Sequence, residues 1–193
     1  MKKFEKLHKL KDKMELDESL PLKNLANKLV FGSGNTEAKI LCVGEGPGRQ
    51  EDLQGLPFVG QAGKLLDKLL TLSGLERKKV FITNIVHHRP PENRDPLPNE
   101  ITSYGKYLDK IIEIIDPKII ITLGRFSMAK FLPDVFISQV HGKEYEVNWN
   151  NKKIVVIPMY HPAASLRNGK ILELEKQDFT NLKEKINRIL LFS

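Results

Sequence analysis

Apolar residues fall into two kinds of stretch along this chain: short unbroken runs, and longer segments where they recur every three to four positions. Residues 1–15 carry Phe4, Leu7, Leu10 and Met14 on one side of a lysine-rich segment, a spacing that predicts a solvated helix with one buried stripe. Residues 40–43 form an unbroken apolar run that Gly44-Glu45-Gly46-Pro47-Gly48 ends abruptly, as expected of a short buried strand. Helical periodicity then covers 62–73, and Gly74 suits the stop. Residues 80–86 read as a second strand, β-branched and apolar on both faces. Pro90, Pro91, Pro96 and Pro98 make the next segment a loop, and a helix over 99–115 leads through Asp116-Pro117 into a third strand at 119–123. A short helix is predicted at 126–132. Residues 144–149 alternate, Asn150-Asn151 is a turn pair, and 153–158 is apolar again, which predicts a hairpin feeding a fourth core strand. The end, 171–192, is mostly helical, and Gly32-Ser33-Gly34-Asn35 reads as a turn. Strands alternating with helices, with continuous apolar runs, predict an α/β fold around a mainly parallel sheet.

Composition narrows the function. The 193 residues suit one domain, and 40% hydrophobic with 28% charged residues supports a packed core rather than a disordered chain. Lysine plus arginine total 31 against 24 for aspartate plus glutamate, a net charge of +7 that favours polyanions, nucleic acid first among them. The single cysteine, Cys42, excludes an intrachain disulfide and any site built from several thiolates, and its apolar setting makes it a core residue. Charge interrupts the N-terminus before any apolar stretch of signal-peptide length, and no run approaches a membrane span. The expectation is a cytoplasmic monomer with no membrane partner, no metal and no cofactor.

Ligands of such sheets bind outside the carboxyl ends of the strands. The 44–48 loop, Asn84 with His87-His88, and Tyr160-His161-Pro162 all follow predicted strands and so converge on one rim. The loop has neither Gly-x-Gly-x-x-Gly spacing nor a Gly-Lys-Ser/Thr ending, which counts against dinucleotide or P-loop binding. Taken singly, each residue also has a structural role open to it: a tight turn for the glycines, a cap for Asn84, core for Phe58, a hydrogen-bonding role for each histidine.

Their order carries more. The strings Val43-Gly44-Glu45-Gly46-Pro47-Gly48-Arg49-Gln50-Glu51-Asp52, Gly55-Leu56-Pro57-Phe58-Val59-Gly60-Gln61-Ala62-Gly63, Ile82-Thr83-Asn84-Ile85-Val86, Arg89-Pro90-Pro91-Glu92-Asn93-Arg94-Asp95-Pro96 and His161-Pro162-Ala163-Ala164-Ser165-Leu166-Arg167-Asn168 closely resemble the family 4 uracil-DNA glycosylases. The resemblance implies a three-layer α/β/α fold with a central, mainly parallel four-stranded sheet. It also implies one domain over 1–193, with an N-terminal helical extension (1–28), a motif-bearing core (29–168) and a C-terminal helix (169–193).

The resemblance further implies hydrolysis of the N-glycosidic bond of deoxyuridine in DNA, with the abasic site passed to downstream processing enzymes. Glu45, His161 and Asn84 take the catalytic positions: a carboxylate that orients water or stabilises the electron-poor sugar, a donor to uracil O2, and a base-reading amide. Gly44, Gly46, Phe58 and Glu51 join Asn84 as substrate-binding positions, with Phe58 stacking on the base and Glu51 near uracil C5. Ser165, Leu166 and Arg167 match the loop inserted into duplex DNA, with Arg89 and Arg94 as backbone contacts.

The chain departs from the family at one place. Family 4 members typically hold a 4Fe–4S cluster on four cysteines, and the corresponding positions here are Asp17, Leu20, His88 and Tyr104. The loss must be offset by packing, for which Tyr104 and Leu20 offer apolar filling, or accepted as flexibility; a replacement metal at Asp17 and His88 is a weaker alternative. His88 is also a candidate for covalent attachment to an abasic sugar, although the basic insertion Lys-Arg-Arg-Ile-His of the glycosylases that do this is absent. Two alternatives stand beside uracil excision: a glycosylase for another deaminated base such as hypoxanthine, and a covalent or non-catalytic protein that binds uracil-DNA or abasic sites.

Overall fold

The structure, a computed structural model, describes residues 1–191; residues 192 and 193, the end of the predicted C-terminal helix, lie outside the described residues. Four strands pair in parallel at the centre: β2 (Ile40–Gly44), β3 (Phe81–Asn84), β4 (Ile119–Leu123) and β6 (Lys152–Met159). Two antiparallel edge strands, β1 (Ser33–Gly34) and β5 (Tyr145–Trp149), extend them to a six-stranded mixed sheet of order β1-β3-β2-β4-β6-β5.

The sheet is thus wider than the four strands expected. The predicted hairpin supplies β5, and β1 arises where a turn was predicted. Gly34 lies so close to β3 that a Cβ there would stand 2.1 Å from the Val80 carbonyl oxygen, so the glycine permits the pairing. The predicted strand over 80–86 ends at Asn84, although the Ile85 and Val86 amides still bond to the Gly44 and Glu45 carbonyls.

Side chains alternate between the two faces of β2. Leu41 and Val43 enter a core with α1 (Lys3–Glu15) and α4 (Pro98–Ile115), whereas Ile40 and Cys42 enter one with α3 (Gln61–Leu72) and α8 (Gly169–Leu191). This gives three layers, each helix burying one apolar stripe. Burial pushes the Cys42 thiol up to about 12, as befits an inert core residue. The remaining helices are short: α2 (Arg49–Gln54), α5 (Arg125–Ala129), α6 (Ile137–Val140) and α7 (Pro162–Ser165).

The N-terminal segment is tied down by polar contacts and packing around the four positions where the resembled family has cysteines. The Asp17 carboxylate accepts from Lys106 Nζ and Tyr107 Oη, both at 2.7 Å, and the Lys106 bond above all holds it well below the usual carboxylate range. Leu20 is buried and offers no donor atom. Tyr104 is fully buried, its hydroxyl receives the Leu22 amide, and it lies 2.7 Å from His88 Nδ1. A phenol that accepts from Leu22 has its own proton left for His88, so the three groups form a chain of hydrogen bonds. These residues do not fit an iron–sulfur cluster: they provide no thiolate, Asp17 is bonded to Lys106 and Tyr107, and His88 is bonded to Tyr104.

Two adjacent imidazoles are buried here in neutral form. His87 is brought down to about 3 and His88 to about 4, burial being the main cause in each case. The unfolded chain therefore takes up protons near pH 6.5 that the folded chain refuses until about 3 to 4. Their contribution is complete above about 6.5 and is lost as the pH falls, with a slope of up to about 1.4 kcal/mol per pH unit for each. Histidine ring signals followed by NMR from pH 7.5 down to 5.5 will show His87 and His88 remaining neutral, and titration of either near 6.5 would contradict the neutral burial. Tyr104→Phe strands the Leu22 amide and His88 Nδ1, and will lower stability at pH 7.5 by about 1–3 kcal/mol in urea unfolding.

Candidate active site

The carboxyl ends of β2, β3 and β6 open onto a cleft of about 380 Å³. Glu45, Phe58, Asn84 and His161 all line it, although they are far apart in the chain and come from four different segments. Parallel pairing places Gly44 opposite Asn84, so the two strand exits lie at the same depth.

Gly44 cannot carry a side chain. A Cβ there would lie 2.4 Å from Asn84 Oδ1 and 2.6 Å from Phe58 Cε2, so amide and ring meet over its bare α-carbon. Gly46 follows the same rule, with Val86 Cγ2 at 2.9 Å from such a Cβ. Asn84 is 1% exposed, and its Oδ1 has no hydrogen-bond partner among the described residues. Leaving such a group unsatisfied costs about 1–3 kcal/mol, a cost that a ligand able to donate would remove.

Phe58 sits at φ +51°, a conformation that non-glycine residues seldom adopt. Three contacts hold it there. Arg77 donates to the Phe58 carbonyl at 2.9 Å and to the Pro57 carbonyl at 2.5 Å. The bare Gly63, where a Cβ would fall 1.9 Å from the Phe58 carbonyl oxygen, lets α3 start directly beneath the loop. Glu51 Oε1 accepts from the Val59 and Gly60 amides at 2.8 and 2.7 Å. Glu51 lines the cleft as expected, yet this oxygen is committed to the loop that carries Phe58, a role that the reading near uracil C5 did not include.

The rings of Phe58 and His161 stack at 5.7 Å between centroids, inclined by 26°. His161 precedes α7, and its Nδ1 accepts the Ala163 amide at 3.0 Å. Nδ1 is therefore unprotonated and the neutral ring carries its hydrogen on Nε2. Desolvation, with Arg167 adding to it and Glu51 opposing it, brings His161 down to about 4, so the ring is a neutral donor at physiological pH.

Glu45 is fixed from the start of α5, directly after β4. Its Oε1 accepts the Phe126 amide at 2.9 Å, and it packs onto Gly124, where a Cβ would approach to 2.2 Å. Burial pushes the carboxyl up to about 6; Asp95 pushes in the same direction, while the Phe126 amide and Arg125 oppose it. Gly124 and Phe126 were missed by sequence reasoning.

The surface residues divide. Leu166 is 52% exposed beside the cleft, and Arg167 lines it. Arg89 Nε donates to Asn93 Oδ1 at 2.7 Å. Arg94 lines the cleft, but its guanidinium is held by Glu100 at 2.6 and 2.9 Å, so it anchors the 90–96 loop to α4 rather than offering a free charge. Ser165 is 2% exposed and its hydroxyl donates to Glu175, which removes it from the DNA-facing surface. His88 does not line the cleft; it is buried against Tyr104 with Nδ1 engaged, so the covalent role considered for it lacks access to a sugar. Among the described residues no group of three or more His, Cys, Asp or Glu is arranged to hold a metal ion.

Comparison with known proteins supplies the family. The family described as the Uracil DNA glycosylase superfamily matches residues 31–190. A type-4 uracil-DNA glycosylase from Sulfurisphaera tokodaii is 43% identical over 187 residues, 94% of this chain and 85% of that protein. One from Archaeoglobus fulgidus is 48% identical over 161 residues, 80% of each chain. A third, from Saccharolobus solfataricus, is 42% identical over 190 residues, 95% of this chain and 88% of that protein. With the match running from the strand-bearing core through most of α8, the chain belongs to the uracil-DNA glycosylase superfamily.

Proposed function

We propose that this protein excises uracil from DNA, hydrolysing the N-glycosidic bond of deoxyuridine and leaving an abasic site for downstream processing enzymes. The observation that carries the reading is the buried Oδ1 of Asn84, unpartnered among the described residues, beside the ring of Phe58. An amide in that position presents an acceptor to uracil N3–H and a donor to O4, while cytosine inverts both groups. The Phe58 ring offers the flipped base a stacking face.

Cleavage breaks the C1′–N1 bond, and its electron pair leaves with the base. His161 Nε2–H donates to O2, where the negative charge collects, and a neutral imidazole does so without giving up its proton. Ionised Glu45 faces the electron-poor sugar and aligns the water whose oxygen bonds to C1′. The water's proton passes to Glu45 or to solvent, and the departing base is reprotonated. Arg167 and the protein's net charge of +7 favour the phosphate backbone, and Leu166 is the apolar wedge for the space left by the base. The protein is proposed to act as a monomer in the cytoplasm; among the described residues no helix is long and apolar enough to cross a membrane.

A labelled deoxyuridine oligonucleotide, incubated with the protein and cleaved with alkali, tests this directly; failure to cut either single- or double-stranded substrate would overturn it. Parallel hypoxanthine strands separate a change of base, and a shifted protein band on a denaturing gel reveals covalent capture. Glu45→Gln will lower kcat by roughly a hundredfold to ten-thousandfold with little change in KM. Because the proton must leave Glu45 for it to act, wild-type activity will rise as the pH passes about 6, and the variant will lack that limb. Asn84→Ala will cost roughly 5- to 150-fold in kcat/KM for uracil, the equivalent of about 1–3 kcal/mol.

A further inference from the structure

Behind the 165–167 loop lies a carboxyl group that the proposed reaction does not use. Glu175 in α8 is fully buried and does not line the cleft. Its Oε2 receives the Ser165 hydroxyl, and its Oε1 has no hydrogen-bond partner among the described residues. Burial above all, with the charge of Asp178 adding to it, pushes this carboxyl up to about 7, against the lowering effect of the Ser165 bond. A buried carboxyl with one oxygen unsatisfied is expensive to keep, and an apolar residue would serve packing better.

The bond acts at a sensitive point. α7 is four residues long, too short to be rigid by itself, and Ser165 is its last residue. Leu166 and Arg167 follow immediately, half exposed and cleft-lining respectively. Their amides bond back to the Pro162 and Ala164 carbonyls at 3.1 Å, so the turn is internally formed. Asn168 Oδ1 joins the end of this turn to the first residues of the 23-residue α8, accepting the Lys170 and Ile171 amides at 3.0 and 3.4 Å, and the Ser165–Glu175 bond anchors the turn farther along that helix.

We propose that Glu175 is a positioning residue which, through the Ser165 hydroxyl, sets Leu166 and Arg167 for insertion into duplex DNA and so governs activity on duplex relative to single-stranded substrate. The proposal rests on the uracil-excision reading. Holding a flipped base out of a duplex requires a wedge at a fixed height to fill the gap in the stack, whereas a single strand has no such gap. Losing the anchor therefore weakens action on duplex and spares action on single strands.

The experiment compares wild type with Glu175→Leu, Ser165→Ala, the double variant and Glu175→Gln, after thermal melts show each to be folded. Uracil release from single- and double-stranded oligonucleotides is measured alongside binding to a duplex carrying a tetrahydrofuran abasic analogue next to 2-aminopurine, whose fluorescence rises when a wedge unstacks it. Glu175→Leu and Ser165→Ala will each lower the duplex-to-single-strand ratio of kcat/KM about tenfold, as loss of one charge-assisted hydrogen bond implies. Both will weaken the fluorescence response. The double variant will be no worse than either single one, and Glu175→Gln, which keeps an acceptor for Ser165, will restore most of the ratio. Equal losses on both substrates, an unchanged ratio or additive losses would overturn the proposal. Should wild type bind the abasic duplex yet release no uracil, the excision reading fails, while the fluorescence series still decides the role of Glu175.

Discussion

The bare α-carbon of Gly44 is the constraint on which the cleft depends. It stands at the carboxyl end of a central parallel strand, in register with Asn84, with the edge of Phe58 close above it. Any side chain there would displace the amide, the ring or both. Two further glycines extend the same economy of space: Gly63 brings α3 up under the Phe58 carbonyl, and Gly124 admits the Glu45 carboxyl. Around these points, Arg77 and Glu51 fix the Phe58 loop through its backbone groups, which ties an unfavourable φ to an ion-supported frame.

Desolvation then sets the chemistry. The same loss of water that lowers His161 to about 4 raises Glu45 to about 6, leaving a neutral hydrogen-bond donor beside a carboxylate ionised at neutral pH. Such a pair suits a reaction in which negative charge forms on a leaving base and positive charge on a sugar. The backbone chooses the details: the Ala163 amide selects the His161 tautomer, and the Phe126 amide holds one Glu45 oxygen.

Away from the cleft, the N-terminal segment is joined to the loop before Arg89 by hydrogen bonds and packing at the positions of the missing cysteines. Asp17 reaches Lys106 and Tyr107 of α4, and Tyr104 links Leu22 to His88. Aromatic volume with matched donors and acceptors thus closes a loop that a metal cluster closes in the resembled family. His88 belongs to this scaffold, and its burial there separates it from the chemistry of the cleft.

Local pattern determined much of this protein. Continuous apolar runs specify buried strands and helical periodicity specifies the covering helices, because both depend on neighbours within a few residues; the strand-exit rule then places Glu45, Asn84 and His161 on one rim before any coordinates exist. The edge strand β1, the commitment of Glu51 to the Phe58 loop, the pairing of Arg94 with Glu100 and the burial of Ser165 against Glu175 were not legible. Each depends on which side chain or backbone group packing brings within bonding distance, and residue type alone does not specify that partner. An arginine or serine in a DNA-facing motif reads as a free surface group until tertiary structure shows its partner. Sequence therefore settled the fold class and the chemical groups present, while the tertiary structure decided which of those groups remain available to a ligand, because only packing determines what is already satisfied and what is left exposed to the cleft.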